Sequence, residues 1–179
     1  MAGALLAREF ADAGADVHIE TAGFLESGHE VPDGVHHALA RDGLDVAGHT
    51  SCQVTAGMVA EADLVVVMER SHVRKVAVLA PDAWSRTFTF KELVRRGEHI
   101  GARRANEAPG SWVRDAHRGR RPDDLLGADD GDNLTDPMGQ SQKAFDRTAD
   151  ELGDLSRRLA KLLVAPDAGD PAGVPLFIS

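Results

Sequence analysis

Ala62-Asp63-Leu64-Val65-Val66-Val67-Met68-Glu69-Arg70 is the stretch on which the reading of the fold turns. Its apolar centre, Leu64 to Met68, leaves no polar side for water. A half-exposed strand alternates apolar and polar residues, whereas a strand covered on both faces does not. Burial on both faces is the habit of parallel sheets flanked by helices. Working downstream, Ser71 suits the N-cap of a helix running through Leu79, and Pro81 ends it. Thr87-Phe88-Thr89-Phe90 is again strand-like, and Lys91 to Arg96 starts another helix. Upstream, Val17 to Thr21 alternates and gives a strand. Helices are expected over Met1 to about Ala13, closed by Gly14, over Pro32 to Arg41, closed by Gly43, and over Thr55 to Ala62. Phe145, Thr148, Leu152, Leu155, Leu159, Leu162 and Leu163 keep helical spacing, which predicts a helix over Phe145 to Val164. Strands alternating with helices predict an α/β fold, a three-layer sandwich around a small parallel sheet. Only three strands are visible, which is few for such a sheet.

Composition sets the outer bounds. A chain of 179 residues suits one domain, and 42% hydrophobic residues are enough for a core and too many for a disordered chain. No apolar run approaches the ~20 residues that span a bilayer, so no membrane partner is expected. Met1-Ala2-Gly3-Ala4-Leu5-Leu6-Ala7-Arg8 has no basic segment ahead of its apolar one, which argues against a signal peptide and for the cytoplasm. The single cysteine, Cys52, excludes an internal disulfide framework and a multi-cysteine zinc site. The eight histidines show no metal-ligand spacing, so neither a metal nor another cofactor is expected. A net charge of −9 argues against nucleic acid as the main partner.

The charge is unevenly spread. Lys91 to Arg121 holds nine Lys/Arg against four Asp/Glu, and Asp123 to Asp136 holds six Asp and no basic residue. Two readings stand: solvated segments that neutralise each other, or a basic rim that attracts an anionic substrate through Arg95, Arg96, Arg103 and Arg104. The domain is expected over residues 1–163, with a polar insertion at about 97–131. Residues 164–179, with Pro166, Gly169, Pro171, Gly173 and Pro175, read as a disordered tail.

The common phosphate cradles G-x-x-x-x-G-K-[ST] and G-x-G-x-x-G are absent. Several ordered segments instead resemble one family. Met1-Ala2-x-Ala4-Leu5-Leu6 is similar to the start of its first helix, and Thr21-Ala22-Gly23 to its [ST]-A-G turn. Gly28, Pro32, Ala38, Leu39, Gly43 and His49-x-Ser51 follow its next stretch. Ala62 to Arg70 resembles its third-strand signature, Phe88-Thr89-Phe90-Lys91-Glu92-Leu93 its fourth, and Asp136-Pro137-Met138-Gly139 its D-P-x-G loop. The family is the low-molecular-weight protein tyrosine phosphatases, in the form common in high-GC bacteria, and the resemblance covers about residues 1 to 163.

That resemblance implies phosphomonoester hydrolysis through a phosphocysteine. In the family a thiolate in a C-x-x-x-x-x-R-[ST] loop attacks phosphorus, while backbone N–H groups and the Arg hold the phosphate at a helix N-terminus. An Asp before a Pro protonates the leaving oxygen. Asp136 matches that acid, and Pro137 fixes φ in its loop. His49 and His72 match positions near the phosphate loop and could hydrogen-bond it, or could be surface or capping histidines. The substrate implied is a phosphotyrosine protein or a small phosphomonoester. Met138 departs from the aromatic residue many members place there, and the sequence has no Tyr, so Phe24 and Trp112 are the candidates to take over that stacking role.

The nucleophile is the gap in this reading. The sixth residue after Cys52 is Met58, not Arg, so Cys52 is read as a small, partly buried structural residue. The resemblance places the first strand and the Cys-x5-Arg loop ahead of Met1. In the family that strand lies inside the sheet, between the second and third. Without it, two strands face each other with unpaired N–H and C=O groups, each costing about 1–3 kcal/mol when buried. The 179 residues are therefore expected to fold poorly or to pair their strands differently. Two accounts follow: an intact phosphatase whose nucleophile lies upstream, or a non-catalytic pseudophosphatase or binding remnant. Arsenate reduction, which some relatives of this fold perform, needs further cysteines to resolve its intermediate.

Overall fold

The computed structural model describes residues 1–125, 131–165 and 176–178. Four strands form one sheet: β1 (Ile19–Thr21), β2 (Leu64–Val67), β3 (Thr87–Thr89) and β4 (Leu176–Ile178). Their spatial order is β1-β4-β2-β3, and every pairing is parallel. The helices are α1 (Ala2–Asp12), α2 (Asp33–Ala40), α3 (Ala56–Glu61), α4 (Arg70–Leu79), α5 (Phe90–Ile100), α6 (Pro109–His117) and α7 (Gln142–Leu163). Among the described residues no helix is long and apolar enough to cross a membrane.

The sheet divides the core into two layers, because successive residues of a strand point to opposite faces. Leu64, Val66, Phe88, Leu176 and Ile178 join the apolar faces of α1, α2, α5, α6 and α7. Val65, Val67 and Phe177 join Val59 of α3, Val73 and Val76 of α4, and Ala83. All four residues of β2 are buried, as its unbroken apolar run requires. The three-layer α/β architecture with a small parallel sheet is therefore the one observed.

The expected disordered tail gives way at Leu176–Ile178, which form the central strand β4. This is the strand that the resemblance leaves empty, and it answers the unpaired-strand problem: β1 and β2 do pair differently, each with β4. Residues 166–175 and 179 lie outside the described residues. Two boundaries also shift. Phe90 begins α5 instead of ending a strand, because the Thr89 hydroxyl accepts the Glu92 N–H at 3.1 Å and caps the helix. Helix α4 starts one residue before Ser71, whose hydroxyl instead donates to Glu69 Oε2 at 2.8 Å.

The polar stretch 97–131 is largely structured where it is described. Pro109 opens α6, whose Trp112, Val113 and Ala116 are buried. Trp112 packs against Gly97 of α5, where a Cβ would come within 2.7 Å of its ring, and its indole N–H donates to the Gly101 carbonyl at 2.9 Å. Arg120 locks this region to the sheet. Its guanidinium lies 4.1 Å from the centres of both the Trp84 and Phe88 rings and makes a two-pronged bond to Glu92, at 2.8 and 3.1 Å. The part of the insertion and of the acidic run at 126–130 lies outside the described residues.

Candidate functional site

The parallel strands β1, β4 and β2 all end at one open cleft of about 840 Å³. In open parallel sheets the carboxyl ends of strands are where loops converge and ligands bind. Ile178, Met68 and Thr21 form its floor, and Met1 to Ala4, the first turn of α1, form one wall. Gly3 is buried there because α1 passes tightly over β1: a Cβ at Gly3 would strike the Thr21 methyl.

His49, His72 and Asp136, separated widely in sequence, all line this cleft. His49 is exposed on the loop before α3, which is strapped to the loop after β1. The straps are Gly23 N–H to the Cys52 carbonyl, Val54 N–H to the Gly23 carbonyl, both 2.8 Å, and Ser51 Oγ accepting from His29 N–H at 2.9 Å. His72 sits in the first turn of α4, its ring 5.0 Å from that of Phe24. Its Nδ1 is buried and has no hydrogen-bond partner among the described residues. Burial holds its pKa below the ordinary 6.5; Glu69 pulls up, Lys75 pushes down and Asp136 pulls up more weakly.

Asp136 is exposed on a loop that three bonds shape. Its Oδ1 accepts the Met138 N–H at 2.9 Å, its carbonyl accepts from Gln140 Nε2 at 2.6 Å, and the carbonyl of the buried Pro137 accepts the Gln140 N–H at 3.0 Å. The loop's entry is pinned to the end of β2: Leu134 N–H donates to the Met68 carbonyl, and Asn133 Oδ1 accepts the Arg70 N–H, both at 2.9 Å. Sequence reasoning missed Asn133, and no local signal marks it, because the backbone N–H it holds is 63 residues away.

Several expectations change here. Cys52 is exposed rather than partly buried, and it lies on the rim of the cleft. Neither Phe24 nor Trp112 lines the cleft: Phe24 packs behind His72, and Trp112 is buried beside α7. The basic-rim reading also falls. No Lys or Arg is among the described lining residues. Arg95 pairs with Asp132 at 2.9 Å, joining the basic segment to the acidic one, and Arg96 pairs with Glu92 at 3.1 Å. Arg103 is buried, donating to the carbonyls of Leu163 and Glu107 at 2.7 and 2.6 Å.

The profile of the family described as low molecular weight phosphotyrosine protein phosphatase matches residues 1–103, more than half of the chain. The chain belongs to that family. A stretch of 62 residues is 31% identical to a putative low molecular weight protein-tyrosine-phosphatase of Klebsiella pneumoniae, covering 35% of this chain and 43% of that relative. The chain thus spans less than half the length of the curated relative it matches. The fold is similar to that of a YwlE mutant from Bacillus subtilis, at 24% identity and TM-score 0.65 over 89% of this chain and 86% of that one. It is likewise similar to a low molecular weight protein tyrosine phosphatase from T. tengcongensis, at 21% identity and TM-score 0.65 over 88% and 86%. The phosphatase family match takes in α1, β1, β2, β3 and the two cleft histidines, while Asp136 and α7 lie beyond it.

Proposed function

We propose that the cleft is a phosphomonoester site of the protein-tyrosine phosphatase kind, with Asp136 as the acid that protonates the leaving oxygen. The observation that carries this reading is convergence: the open first turn of α1, His49, His72 and Asp136 meet at the carboxyl edge of the sheet. Backbone N–H groups at a helix start favour an anion. His49 and His72 would order the phosphate-binding segment, and the pinned Asp136-Pro137 loop would present the proton. No Lys or Arg lines the cleft among the described residues, and in this reading the phosphate-holding Arg and the cysteine nucleophile would come from a Cys-x5-Arg segment ahead of Met1. The substrate is a phosphotyrosine protein or a small phosphomonoester in the cytoplasm.

One observation favours a second reading. β4 is seated between β1 and β2, in the place that the resemblance gives to the family's first strand. This supports a non-catalytic phosphoester-binding protein.

Assays with p-nitrophenyl phosphate separate the two. The 179 residues alone are expected to give no vanadate-sensitive turnover. A chain extended before Met1 by an apolar strand and a Cys-x5-Arg loop is expected to turn over, and Asp136→Asn should lower its kcat about 10²–10⁴-fold, the usual contribution of a general acid. Turnover by the 179 residues that disappears in Cys52→Ser would instead make Cys52 the nucleophile. An extended chain that binds vanadate without turnover would favour the binding protein.

A further inference from the structure

β4 is three residues long, comes last in chain order, and occupies the centre of the sheet. Leu176, Phe177 and Ile178 pair with Ile19, Glu20 and Thr21 on one side and with Leu64, Val65 and Val66 on the other. Two further bonds extend this ladder: Leu176 N–H donates to the His18 carbonyl at 2.8 Å, and Ala22 N–H donates to the Ile178 carbonyl at 3.0 Å. The three side chains are 2%, 1% and 4% exposed. Leu176 and Ile178 enter the layer of α1 and α7, and Phe177 enters the layer of α3 and α4.

Neither β1 nor β2 can replace what β4 supplies. Without it they stand two strand spacings apart, roughly 9–10 Å, beyond hydrogen-bond reach. The space between them is a slot with a row of backbone donors and acceptors on each wall. It has an apolar pocket above, lined by Leu5 and Leu6, and one below, lined by Val59, Val73 and Val76. These are the parts of a strand-addition site: main-chain bonds give affinity, and pockets for alternate side chains give specificity. Such sites ordinarily lie at a sheet edge, whereas this one has two walls.

We propose that the slot between β1 and β2 is a binding site for an extended apolar peptide, occupied in cis by Leu176–Ile178 and able to accept the same sequence in trans. The ligand runs parallel to both walls. Its central residue is a large apolar group in the place of Phe177, and aliphatic residues stand in the places of Leu176 and Ile178. The proposal rests on the second, non-catalytic reading of the cleft, because the upstream strand of the phosphatase reading would take this same slot.

The test uses the full chain carrying Phe177→Asp, which makes its own strand unfit for the apolar pocket. The probe is a fluorescein-labelled hexapeptide with the sequence of residues 174–179. The variant should bind it saturably by fluorescence anisotropy, and its Tm should rise with peptide concentration. The unaltered chain should bind about tenfold or more weakly, because a tethered strand competes at an effective concentration on the order of mM. Hydrogen exchange at the Ala22 amide should be slow in the unaltered chain, fast in the variant, and slow again with peptide. A peptide with Asp at the Phe177 position should do none of this. A folded variant that ignores the peptide overturns the proposal. If Phe177→Asp does not fold, peptide present during refolding must restore its far-ultraviolet circular dichroism, and failure to do so also overturns it. Ile178→Ala, a milder lesion, should show the same ordering with smaller shifts.

Discussion

β2 and β4 lie side by side in the sheet, both parallel to their neighbours and both buried, yet they relate to the sequence in opposite ways. β2 is followed at once by α4, which returns the chain to its partner β3. β4 has half its pairing with β1 and half with β2, both far away in sequence. Its three residues span both core layers, so the sheet is divided if they leave. The difference teaches that a strand's structural weight comes from its place in the sheet and not from its length or from how plainly its sequence announces it.

The comparison can be broken most directly by trimming each strand. Phe177→Ala should cost about 3–5 kcal/mol, and Val65→Ala, its cross-strand neighbour, about 2 kcal/mol, both read by urea denaturation. A Phe177→Ala cost below that of Val65→Ala would show β4 to be an accessory of the sheet. The next effect is expected at the β3 edge, which never touches β4. Arg120→Ala leaves Glu92 without its bidentate partner and should cost about 3 kcal/mol, while Arg120→Lys should recover only part, since an ammonium cannot form the fork or stack flat on two rings. Gly97→Ala probes the helical layer alone. Its Cβ would meet Trp112 and Leu162 at 2.7 and 2.8 Å, and a displacement cost of about 1–3 kcal/mol is expected, visible as a lower Tm.

The smallest effect concerns pH. His72, on the helix above β2, is held below its ordinary pKa by burial, and His117 is held down by burial and by Arg120 and Arg96. Below about pH 6.5 the unfolded chain takes up these protons before the folded one does. Their contribution is therefore present above that pH and is lost as pH falls toward the folded pKa. Tm should decline on acidification from about pH 7 to 5.5, and His72→Gln should flatten part of the decline. An unchanged slope would show that His72 is as free to ionise in the folded chain as in the unfolded one.

The long and periodic parts of this chain were legible. Leu64 to Val67 could only be a covered parallel strand, and the Leu ladder of α7 could only be an amphipathic helix. α6 could have been found from Pro109 at a helix start with Trp112, Val113 and Ala116 on one face, but the surrounding arginines masked that pattern. The tail reading failed at Leu176-Phe177-Ile178 because three residues show no periodicity, and the glycines and prolines before them suggest a loop. What fixes β4 is the vacancy between two strands, a property of the tertiary structure that no local window contains. Of the candidate site, Asp136-Pro137, His49 and His72 could be named from sequence by residue type, and they line one cleft. Its supports were not: Asn133 and Phe24 matter through partners that only the fold brings near.

The arrangement of the two tryptophans has an optical consequence. With no tyrosine in the sequence, ultraviolet emission from the folded chain comes almost wholly from Trp84 and Trp112. Trp112 is 2% exposed and sits on the α1 and α7 side of the sheet. Trp84 packs on the opposite side, beneath the Arg120 guanidinium and edge-on to His117 at 5.6 Å. Each face of the sheet thus carries its own chromophore, one buried with its N–H bonded to the Gly101 carbonyl and one beside a cation. In Trp84→Phe and Trp112→Phe chains the colour of the remaining indole reports its layer alone, so that loosening of one face and rupture of the whole sheet become distinguishable by light.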